Sequence, residues 1–97
     1  MNDKYILDEN GNPKVESDLL KWGEWFETAD RHIGIDKIGK VKISTIFLGL
    51  DHSFGRGKPV LWETMVFGGK FDGEQKRYFT KKEALTGHKK IVAKIKR

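Results

Sequence analysis

The chain has 97 residues, 19 of them Lys or Arg and 14 Asp or Glu, for a formal charge of +5, and it contains no cysteine. That length suits a single domain with one core, and the absence of cysteine excludes a disulfide scaffold, a thiol nucleophile and any Cys-ligated metal. No apolar run approaches the roughly 18 residues that span a bilayer, and the opening MNDKYILDEN lacks the apolar region of a signal peptide, so a soluble cytosolic protein is expected.

Tyr5, Ile6 and Leu7 read as a short first strand. Asn10-Gly11 supplies the positive-φ turn of a hairpin, and Pro13 confines the returning strand to residues 14–16. Ser17 or Asp18 then opens a helix. Its apolar residues Leu19, Trp22, Phe26, Ala29 and Ile33 recur three and four apart, on one helical face. Gly34 ends that helix, with Arg31 and His32 in its last turn, where positive charge suits the macrodipole.

From Lys40 the period changes to two. Residues 41–50 form a strand that alternates at first and then turns apolar on both faces, as a strand does on entering the core. Residues 51–59 form a loop, and residues 60–67 the strand that pairs back. Gly68-Gly69 and Asp72-Gly73 break the chain before EQKRYF, a polar edge strand. Thr80 and Glu83 make a capping box for a final helix with Ala84, Leu85, His88, Ile91, Val92 and Ile95 on its apolar face. Gly87 inside that helix costs about 1 kcal/mol against alanine and points to the close approach of another backbone. The expected fold is α+β: a short N-terminal hairpin, a helix, a three-stranded antiparallel meander and a C-terminal helix. Both helices are expected on one face of the sheet, leaving the other face to water or to a second copy.

Charge is unevenly spread. Residues 1–36 carry nine acidic and four basic groups; residues 37–97 carry five and fifteen. Such a gradient marks an anion-binding half, or two solvated helices of opposite sign. Lys82, Lys89, Lys90, Lys96 and Arg97 of the last helix fit a solvated face better than a nucleic-acid reader, because no aromatics interleave with them.

The residues with chemistry gather after the buried strand. Asp51-His52 offers a carboxylate beside an imidazole, suited to general base or ligand contact, or to capping a turn. Ser53, Arg56 and Lys58 follow, with Gly55 and Gly57 between them. Mobile N–H groups and a forked guanidinium can cradle a phosphate there, although the P-loop spacing is absent. Trp62 is placed to stack on a base. Glu63 needs no partner on an open sheet face, and a partner such as His32 or Arg31 on a covered one. His32, His52 and His88 lack the local spacing of metal ligands, so neither metal nor cofactor is expected.

DLLKWGEWFETADRH, STIFLGLDHSFG, LWETMVFGG and YFTKKEALTGH, in this order, give the chain a resemblance to a group of small bacteriophage and prophage proteins. The resemblance runs from Tyr5 to Val92. It implies a phage or mobile-element origin and action in the host cytoplasm, and it supplies no catalytic residues. The expected function is a non-enzymatic, homo-oligomeric accessory protein that sequesters a nucleotide-like or other phosphate-bearing ligand and so counters host defence. Asp51, His52, Ser53, Arg56, Lys58 and Trp62 would contact that ligand. The rival readings are a protein–protein inhibitor of a host defence nuclease or effector, and a small hydrolase using His52 with Asp51.

Overall fold

A computed structural model describes residues 3–54 and 57–97. Tyr5–Leu7 (β1) and Pro13–Val15 (β2) pair antiparallel. Gly11 turns with φ +80°, and Asp8 accepts the N–H groups of Asn10 and Asn12, each at 2.9 Å, which closes the hairpin. β2 starts at Pro13 itself, a position proline tolerates at the beginning of an edge strand.

The helix α1 spans Leu19–Thr28, capped by Asp18. It ends well before Ile33, which corrects the expected boundary. Asp30 accepts the His32 N–H at 3.0 Å and turns the chain. His32–Ile38 then runs as a strand, β3, not as the tail of the helix. β3 returns through Gly39-Lys40, with Gly39 at φ +60°, into Val41–Phe47, β4. Trp62–Phe67 (β5) and Gln75–Tyr78 (β6) complete the sheet. The meander therefore has four strands, not three, in the sequential order β3-β4-β5-β6 and antiparallel throughout.

A second correction concerns the helices. Only α2, Lys81–Lys96, crosses the sheet, touching all four strands. Its Thr80–Glu83 capping box forms as expected. α1 buries no residue fully and leaves Leu19 and Leu20 exposed. Its tryptophans pin it to the hairpin and to the end of the sheet. The Trp22 indole N–H donates to the Tyr5 and Gly49 carbonyls, each at 3.1 Å, and Trp25 stands edge-on to Phe47. Among the described residues no helix is long and apolar enough to cross a membrane.

The pairing Thr45↔Thr64 sorts the central strands into two faces. Ile43, Thr45 and Phe47 of β4 and Trp62, Thr64 and Val66 of β5 are buried on the α2 side. The core there is divided in two. Phe47, Leu61, Trp62, Tyr78 and Ala84 pack at one end, and Ile43, Val66 and Ile91 at the other. Thr45, Thr64 and His88 are buried as well, and share this side with both clusters. Leu85, expected on the apolar face of α2, is instead exposed.

Candidate functional site

The loop after β4 is organised by Asp51. Its carboxylate accepts the Ser53 N–H at 2.8 Å, the Val60 N–H at 2.9 Å and the Ser53 hydroxyl at 2.9 Å. Burial pushes this carboxyl up, but those hydrogen bonds and the nearby His52 outweigh it and leave the pKa below the usual aspartate value. His52 pairs its Nδ1 with the Leu50 carbonyl at 2.8 Å, and its backbone N–H donates to the Val60 carbonyl. Asp51 and His52 thus spend their hydrogen bonds on the loop and not on each other. Lys58 is exposed, and Arg56 lies outside the described residues. Trp62 is 1% exposed with its ring packed on Phe47, so it presents no face for stacking on a base. That part of the expected site is corrected: Trp62 points to the α2 side of β5, into the core.

A second cluster joins residues distant in sequence. Lys76, Arg77 and Tyr78 of β6 and Lys82, Thr86 and Lys90 of α2 line a cleft of about 420 Å³. The three α2 positions are four apart, which stacks them along one helical stripe. Glu83 also lines the cleft, but its carboxylate accepts the N–H groups of Phe79 and Thr80 as part of the cap. Arg77 is shared with Glu63, its Nε donating at 3.0 Å. Among the described residues, no carboxylate lies within ion-pair distance of Lys76, Lys82 or Lys90. The 51–60 loop ends beside this cleft, because the Leu61 N–H donates to the Tyr78 carbonyl and Trp62 pairs with Tyr78.

Beneath α2 runs a third arrangement, a chain of side-chain hydrogen bonds. Tyr78 Oη donates to Thr64 Oγ1 at 3.0 Å, and Thr64 Oγ1 lies 2.5 Å from Thr45 Oγ1. Thr45 Oγ1 is 2.6 Å from His88 Nδ1, and His88 Nε2 is 2.7 Å from Asp36 Oδ2. Two glycines make room for it. A Cβ on Gly34 would stand 3.1 Å from the His88 ring, and one on Gly87 would overlap the Tyr78 phenol. What approaches Gly87 is therefore a side chain and not the expected backbone. Among the described residues no buried side-chain polar atom lacks a partner.

Glu63 lies on the face opposite α2 and is still only 7% exposed. Its carboxylate accepts from Gln75 at 2.5 Å and from Arg77, not from His32 or Arg31. Arg31 stacks on Phe26 at 4.0 Å and donates to the Phe47 carbonyl, and burial lowers its pKa. His32 pairs with Asp30. Among the described residues, no group of three His, Asp or Glu side chains is placed to hold a metal. Compared with protein-family models, with curated proteins and with solved structures, the chain matches none.

Proposed function

We propose that this protein is a non-enzymatic binder of a phosphate-bearing, nucleotide-like anion, held in the cleft between α2 and β6. The observation that carries the reading is the set of three lysines, Lys76, Lys82 and Lys90, around a cleft of about 420 Å³ whose single lining carboxylate is engaged in the helix cap, while Arg77, which also lines it, gives its Nε to Glu63 on the opposite face. Such a volume falls in the range of small-molecule sites. Exposed lysines and the Thr86 hydroxyl recognise phosphate oxygens by charge-assisted hydrogen bonds. In the setting that the phage resemblance implies, capture of a signalling nucleotide would blunt a host defence pathway.

The test is calorimetric titration with trimetaphosphate, an anion of constant charge near neutrality. The expected result is saturable one-site binding that weakens about tenfold or more in Lys82→Gln/Lys90→Gln, with an unchanged circular dichroism spectrum. Equal affinity in the double variant would remove the cleft from consideration.

A second reading, docking on a host protein, is favoured by the sheet face opposite α2. Ile35 and Phe67 are 49% and 45% exposed there, beside Lys37 and Lys42. Exposed apolar side chains among polar ones on one sheet face are a feature of protein interfaces.

A further inference from the structure

We propose that the charge on His88 sets the direction of the whole buried hydrogen-bond chain, and through it whether the Tyr78 hydroxyl offers its proton to the anion cleft. This rests on the cleft reading and adds its regulation: affinity for an anion rises when His88 gains a proton.

The argument is one of proton counting. Each of Thr45, Thr64 and Tyr78 has a single hydroxyl proton, and each oxygen sits in a line of neighbours 2.5–3.0 Å apart. With His88 neutral and its Nε2–H donating to Asp36, Nδ1 is an acceptor. Thr45 then donates to Nδ1, Thr64 donates to Thr45, and Tyr78 donates to Thr64. The tyrosine proton is turned inward. With His88 protonated, Nδ1–H donates to Thr45. With Nδ1 no longer an acceptor, the Thr45 proton turns to its other neighbour on the line, Thr64, and Thr64 turns its own to Tyr78. The Tyr78 oxygen becomes an acceptor inside, and its proton has to leave the chain. The cleft that Tyr78 lines with Lys76, Lys82 and Lys90 is where an anion would accept it.

The groups facing His88 fit this role. β3 presents Asp36, which balances the added charge, and β4 presents Thr45. On α2 itself Lys89 and Lys96 line, with Asp36 and His88, a cavity of about 280 Å³ on the far side of the helix from the anion cleft. Glu63 and Lys42 belong to the opposite sheet face. Histidine is the side chain that ordinarily changes charge between about pH 5 and 8. Linkage is reciprocal, so an anion that accepts from Tyr78 would also favour the protonated imidazole.

The experiment measures trimetaphosphate affinity from pH 5.5 to 8.5, and in parallel follows the ¹³Cζ resonance of Tyr78 and the ring resonances of His88 without ligand. The expected result in the wild type is about tenfold tighter binding at the acid end, the worth of one charge-assisted hydrogen bond, with the Tyr78 and His88 resonances changing together. Thr45→Val keeps His88 but cuts the chain, and should leave affinity within about twofold across the range. Tyr78→Phe should bind at the wild-type alkaline affinity throughout. Thr45→Ser restores the hydroxyl and should restore the pH dependence. Binding in the wild type that is flat with pH, or a slope retained in Thr45→Val, overturns the coupling and leaves the binding reading standing. Absence of binding at any pH overturns the binding reading. The relay is then judged by the Tyr78 resonance alone, and one indifferent to His88 overturns it. That resonance also decides the matter in the wild type if Thr45→Val does not fold.

Discussion

At the scale of single residues, two glycines in helices predict opposite outcomes for one substitution. A Cβ on Gly87 would overlap the Tyr78 phenol, whereas nothing lies within 4 Å of a Cβ on Gly23. Gly87→Ala should destabilise by about 1–3 kcal/mol through overpacking. Gly23→Ala should stabilise by up to about 1 kcal/mol, since only the helix-propensity gain remains. Thermal unfolding of the two variants reads both signs. Asp51 makes a pH prediction. Its pKa is depressed in the fold, so its contribution is present above the ordinary aspartate value of about 3.9 and is lost as pH falls through the lower folded value. The amide shifts of Ser53 and Val60, which report its two backbone bonds, should move together with a midpoint below that ordinary value. Independent midpoints would mean that Asp51 does not organise the loop.

At the scale of elements, stability should be uneven. β4 and β5 form the centre of the sheet and carry the largest fully buried side chains, while α1 has ten residues and none of them buried. Native-state amide exchange should therefore be slowest at residues 43–47 and 62–66 and much faster throughout α1. Comparable protection in α1 would show that its tryptophan anchors do more than pin one side. The same contrast explains which elements were legible in the sequence. The hairpin signal at Asn10-Gly11, the Asp18 cap, the alternation after Lys40 and the Thr80–Glu83 box are local, and each produced the element expected of it. β3 was not legible. Ile33 falls four residues after Ala29, so helical spacing continues through it, and Gly34 reads as a stop. Gly34 is instead a mid-strand glycine under the His88 ring, and β3 owes its state to the tight turn at Gly39 and to pairing with β4.

At the scale of the molecule, the loop residues Asp51, His52 and Ser53 could be grouped from the sequence because they are neighbours in it. The cleft could not, because it needs β6 beside α2. The buried chain is more remote still, with Asp36 and His88 separated by 52 positions. The charge gradient was legible and has a consequence for binding. Three lysines around an open cleft make affinity for trimetaphosphate fall with ionic strength, as the Debye length shrinks from about 10 Å at 0.1 M salt to about 3 Å at 1 M. Insensitivity to salt over that range would argue that the cleft cations do not contact the anion.

The polar seam also bears on how the chain chooses among sheets it could build. If β5 slid by two residues along β4, every side chain would keep its face, and the apolar pattern alone could not reject the error. Thr45 would then lie opposite Trp62 or Val66 instead of Thr64. The buried Thr45–Thr64 hydrogen bond would be broken, and with it the link from Tyr78 to His88, at about 1–3 kcal/mol for a hydroxyl left without its partner. Hydrophobic burial collapses the sheet against α2, and the threonine pair discriminates the true alignment from its near neighbours.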